Sequence, residues 1–174
     1  MEMKKGMYFG LTVMTMLSVL ITYPLENERK QQQQEKFAKF IIGDQLDLRN
    51  KKLTYLYPDV FNSPKFANLR TLRLAGNQLS KLDKGVFNGL ANLRELYLDK
   101  NQLSKLDKGV FNGLANLRIL HLDENQLSKL DKGVFNGLAK LERLTLEKNR
   151  LSKLNKGVFN GLANLRELWL YENK

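Results

Sequence analysis

Residues 93–116, LRELYLDKNQLSKLDKGVFNGLAN, decide the fold, because the chain writes them out repeatedly. The same frame occupies 69–92 (LRTLRLAGNQLSKLDKGVFNGLAN), 117–140 (LRILHLDENQLSKLDKGVFNGLAK) and 141–164 (LERLTLEKNRLSKLNKGVFNGLAN). Residues 165–174, LRELWLYENK, open a further copy, and a divergent copy at 43–68 precedes them all. That first copy keeps Leu46, Leu48, Leu53, Leu56 and Phe61 but has Lys51 where the others have Asn. A fixed period of 24 residues is the mark of a stacked repeat architecture.

Each copy carries its own physical instructions. In Leu96-Tyr97-Leu98 two leucines flank a polar or aromatic residue, which is a short strand with one buried face. Because the strand recurs once per copy in the same sense, the strands should stack as a parallel sheet. Asn77, Asn101, Asn125, Asn149 and Asn173 follow at a constant offset. An Asn amide there can satisfy backbone groups that the turn would bury unpaired. Gly85, Gly109, Gly133 and Gly157 loosen the return path, and Phe87, Phe111, Phe135 and Phe159 should form a column inside the coil. One copy cannot cover its own apolar face, so the chain is stable only as a stack.

The pattern LxxLxLxxNxL, followed by LSKLDKGVFNGLANL, resembles the leucine-rich repeat family in its 24-residue extracellular class. The resemblance covers about three quarters of the chain. It implies an α/β, right-handed leucine-rich-repeat solenoid with a parallel β-sheet on the concave face and a mostly irregular or short-helical convex side. It also implies recognition, adhesion or innate immunity outside the cell, and it implies capped ends. Extracellular relatives usually have cysteine-rich caps. This chain has no Cys, so Phe37, Phe40, Ile41 and Ile42 are the candidates to cover the first edge. Nothing covers the last. The sequence therefore predicts either further coils beyond Lys174 or a second chain, such as a dimer partner, against that open C-terminal edge.

Ahead of the repeats, Lys4 and Lys5 introduce an uncharged stretch over 6–25, GMYFGLTVMTMLSVLITYPL. A basic start and an apolar run make residues 1–22 a secretory signal peptide. Cleavage is poorly signalled, and the run is about as long as a membrane span, so an uncleaved anchor over 6–25, which would make the chain a fragment of a membrane-tethered leucine-rich-repeat receptor, is the alternative. Residues 23–42 read as a polar linker or frayed helix and N-terminal cap, with Gln31 to Gln34 in a row.

Function should follow from where the copies differ. The scaffold letters are almost identical, whereas the middle strand position changes: Asp47, Arg73, Tyr97, His121, Thr145, Trp169. So does the position two further on: Arg49, Ala75, Asp99, Asp123, Glu147, Tyr171. A varied face on a rigid stack suits recognition. The predicted ligand-binding set is Arg73, Arg94, Tyr97, Asp99, His121, Asp123, Thr145, Glu147, Trp169 and Tyr171. In it Tyr97, Trp169 and Tyr171 anchor a protein ligand and the charged neighbours set specificity. Asp99, Asp123 and Glu147 form an acidic column that suits Ca²⁺ by oxygen chemistry, but Lys100, Arg118 and Lys148 should neutralise it, so no metal or other cofactor is expected.

The formal net charge is +11, with 29 Lys and Arg against 18 Asp and Glu. The concave positions nearly balance, so the excess lies elsewhere. Lys81, Lys105, Lys129 and Lys153 form one column and Lys84, Lys108, Lys132 and Lys156 a second, relieved only by Asp83, Asp107 and Asp131. Such a ridge would attract an anionic glycan or membrane surface. Nucleic acid is not expected there, because no RNA-binding signature or aromatic stacking platform accompanies the lysines. One His, no Cys and no nucleophile or phosphate-loop motif argue against an enzyme.

Overall fold

The computed structural model describes residues 25–174. The predicted leader, residues 1–22, lies outside the described residues. Helix α1 spans 25–38 and leads into seven short strands. These are β1 (Ile41–Ile42), β2 (Gln45–Asp47), β3 (Thr71–Arg73), β4 (Glu95–Tyr97), β5 (Ile119–His121), β6 (Arg143–Thr145) and β7 (Glu167–Trp169). They form one sheet in chain order. The β1–β2 pair is an antiparallel hairpin and every later pair is parallel. The register matches like with like: Leu72 lies beside Leu96, Leu96 beside Leu120, and Tyr97 beside His121. The chain is a parallel-sheet solenoid in which each repeat is one turn.

The strands are short because each runs at once into the Asn turn. Asn125 is buried; its amide nitrogen donates to the carbonyls of Leu98 at 3.0 Å and Leu122 at 3.1 Å, and its oxygen accepts the Leu103 N–H at 3.0 Å. Asn77, Asn101 and Asn149 repeat this pattern. Lys51 does not break the ladder, because Asn77 of the next coil accepts from the N–H groups of both Lys51 and Leu53. The residue just before each Asn is left-handed: Gly76 at φ 68°, Lys100 at 56°, Glu124 and Lys148 at 50°.

Inside the coil the phenylalanines stack as a continuous column. Successive centroids from Phe61 through Phe87, Phe111, Phe135 and Phe159 lie 6.1–6.4 Å apart, with ring planes within 13°. Gly109, at φ 84°, makes the turn that aims Val110 and Phe111 inward. The convex side is turns and irregular chain, with one 3-10 helix at Pro64–Phe66.

The N-terminal edge is covered by α1, which fixes the Gln run in place. Phe37 is buried and stacks on Phe61 at 6.0 Å, adding a ring to the column. Gln33 donates to the Tyr55 carbonyl and accepts from the Tyr57 N–H, and Gln34 donates to the Asp59 carbonyl. Phe40 and Ile41 pack against the core. Ile42 corrects the sequence reading: it is 80% exposed, because the β1–β2 hairpin alternates and sends it outward. At the far edge Phe159, Leu165, Leu168 and Leu170 are only partly buried. No helix among the described residues is long and apolar enough to cross a membrane.

Candidate functional site

The parallel register lines the middle strand residues up across the concave sheet. Arg73, Tyr97, His121, Thr145 and Trp169 are direct neighbours in successive strands. At strand spacing of about 5 Å their side chains must stack or clash. They stack. The Tyr97 and His121 rings are 5.0 Å apart at 12°, and the Arg73 guanidinium lies 5.6 Å from the Tyr97 centroid. The Tyr97 hydroxyl donates to Glu95 Oε2 at 2.9 Å, and burial followed by that bond pushes the phenol pKa up. Tyr97 is thus held on both faces and at its tip. Trp169, under the Arg143 guanidinium at 6.0 Å, is 42% exposed, and Tyr171 beside it is 56% exposed.

Thr145 is a correction. It was expected to meet the ligand, but it is fully buried, and its hydroxyl is 3.1 Å from His121 Nδ1. The smallest side chain of the row sits between His121 and Trp169, whose bulk encloses it. Thr145 therefore supports the face from beneath.

The second row runs Asp99, Asp123, Glu147, Tyr171. Burial raises the Asp99 carboxyl pKa. Burial acts the same way on Asp123, but hydrogen bonds from His121, at 3.3 Å, and Thr145 bring that carboxyl below its ordinary value. Tyr171 is pushed up to about 12, chiefly by the neighbouring Glu147 carboxylate. The expected neutralisation by Lys100, Arg118 and Lys148 is also corrected. Arg118 pairs with Glu142 at 2.8 Å and Lys100 approaches Glu124 at 3.9 Å, and within the column Asp123 Oδ1 and Glu147 Oε1 are buried with no hydrogen-bond partner among the described residues. No group of three or more His, Asp or Glu among the described residues could hold a metal ion.

Arg94 leaves the predicted set in a different way. It precedes β4 and lines a cavity of about 580 Å³ at the mouths of the strands, together with Arg70, Arg118, Asn92, Asn116 and Lys140. Each Asn-Leu-Arg triplet buries its Leu and turns the two flanking side chains to the same side. The triplet recurs in the sequence at the 24-residue period, and that spacing is the signal that sets its side chains in one row. The Lys ridge is solvent-exposed throughout, and in its first column Lys81, Lys105 and Lys129 pair with Asp83, Asp107 and Asp131 at 3.2–3.3 Å.

Residues 67–127 and 115–174 match the leucine rich repeat family. The chain belongs to that family. Among solved structures, this leucine-rich repeat chain is similar to the crystal structure of the TLR13–ssRNA13 complex, with a TM-score of 0.65 and 29% identity. The match covers 75% of this chain and 22% of that one, so the present repeats span about a fifth of that chain. No curated protein matches significantly. Leucine-rich repeats typically serve as non-enzymatic binding scaffolds.

Proposed function

We propose that this leucine-rich repeat solenoid is a non-enzymatic recognition module. It holds a protein ligand against its concave sheet, at the cell surface or in the extracellular space, in adhesion or innate immunity. The observation that carries this reading is the Arg73–Tyr97–His121–Thr145–Trp169 row, which starts rigid and ends in the exposed pair Trp169 and Tyr171. Pre-ordered aromatic side chains lose little entropy on binding and make good anchors. The test is capture of extracellular proteins by the immobilised chain. Trp169→Ala and Tyr97→Ala should each abolish capture while circular dichroism stays unchanged; capture of the same proteins by both variants would refute the reading.

Single-stranded RNA on the same face is a second reading, favoured by the similarity to the TLR13–ssRNA13 complex. Two features work against it. The faces of Tyr97 are already taken by His121 and Arg73, and the adjacent carboxylates of Asp99, Asp123 and Glu147 repel phosphate. A mixed-sequence RNA oligonucleotide should fail to compete with the protein ligand. Export is tested by N-terminal sequencing of the expressed chain, where retention of residues 1–22 would favour the anchor over 6–25.

A further inference from the structure

The cavity at the strand mouths has a composition unlike the concave face. Its lining offers the cations Arg70, Arg94, Arg118 and Lys140 against one carboxylate, Asp44. The two ends are closed electrostatically: Arg70 lies 3.6 Å from Asp44, and Arg118 pairs with Glu142 at 2.8 Å. Arg94, between them, makes no ion pair among the described residues and is exposed. The closure is written in the sequence, because the fourth triplet is Lys140-Leu141-Glu142 where the earlier ones are Asn-Leu-Arg.

The asparagines are oriented too. Asn92 Nδ2 donates to the Ala67 carbonyl and Asn116 Nδ2 to the Ala91 carbonyl, both at 2.9 Å. Each bond uses one of the two Nδ2 hydrogens and fixes the way the amide faces, which leaves the Asn92 oxygen as an acceptor; that of Asn116 accepts from Lys140 at 2.7 Å. A guanidinium flanked by carbonyl-type acceptors matches a ligand with both anionic groups and hydroxyl donors. Bare polyphosphate lacks the hydroxyls. Nucleic acid would want aromatic platforms for its bases, and no aromatic side chain lines the cavity.

We propose that this strand-mouth cavity binds a sulfated, hydroxyl-bearing glycan, with Arg94 as the central anion contact. The site is separate from the concave face and from the Lys ridge, where Lys81, Lys105 and Lys129 already carry aspartate partners.

The test is the salt required to elute the chain from immobilised heparin. Arg94→Gln should lower it and reduce the log–log salt slope of binding by about 0.7–1, the value for one lost ionic contact. Glu142→Gln, which opens one end of the cavity, should raise the elution salt. The ridge variant Lys108→Gln with Lys132→Gln removes two charges yet should move elution less than Arg94→Gln, and Tyr97→Ala should leave it unchanged. Failure of the wild-type chain to bind, a ridge variant at least as impaired as Arg94→Gln, or displacement by oligo(dT) as effective as by free heparin would each overturn the proposal. The Glu142→Gln gain keeps the test decisive if Arg94→Gln folds poorly.

Discussion

Replacing Asn125 by Ala should be one of the most damaging single changes in this solenoid, although it removes no apolar contact of note. The side chain makes three bonds to buried backbone: from its nitrogen to the Leu98 and Leu122 carbonyls, and to its oxygen from the Leu103 N–H. Alanine leaves all three groups orphaned, in a place too enclosed for water to reach easily. At about 1–3 kcal/mol for each buried unsatisfied group, the loss is roughly 3–9 kcal/mol. That is a large part of the stability of an ordinary domain, about 5–15 kcal/mol. Asn173 provides the control. It makes the same three bonds, to Leu146 and Leu170 and from Leu151, but at the open end where it is only half-buried. Water can replace it there, so Asn173→Ala should cost only about 1 kcal/mol. With a urea dependence of about 1–3 kcal/mol/M, Asn125→Ala should lower the unfolding midpoint by at least about 1 M. The Leu103 amide should also lose protection against hydrogen exchange. Equal losses in the two variants would refute the reasoning, since they would mean that the leucine and phenylalanine columns alone hold the coils together.

Two further outcomes are expected. Lys148 holds φ 50° on an exposed side chain that makes no ion pair among the described residues; Lys148→Gly should raise stability by about 0.5–1 kcal/mol, read as a higher melting temperature, and a decrease would show that the left-handed position carries no strain. Asp123 is titrated against burial by His121 and Thr145, which hold its folded pKa below the ordinary one. Its stabilising contribution is therefore present above the unfolded value, near about 3.9, and is lost as pH falls through the lower folded value. His121→Ala should raise the Asp123 pKa in a ¹³C carboxyl titration and shift the acid limb of the stability curve to higher pH; an unchanged Asp123 would show that the 3.3 Å contact does no electrostatic work.

The period exposed the columns because columns are properties of one repeat copied in register. Leu96, Phe111 and Asn101 each do the same job as their counterparts one coil away, so reading one copy read them all. What the period could not supply was anything decided between coils. Thr145 shares its sequence position with Tyr97 and Trp169, yet lies buried because its neighbours on either strand are larger. Arg94 shares its position with Arg70 and Arg118, yet differs from both because acids stand only at the ends of that row. Ile42 turns outward because a hairpin, absent from every repeat, sets its direction. Variation between copies sets chemically different residues side by side on the concave wall, but uniformity is no sign of idleness. A residue copied without change at a fixed spacing builds a ladder, and a ladder of arginines ending in Asp44 and Glu142 is as specific an arrangement as any varied face.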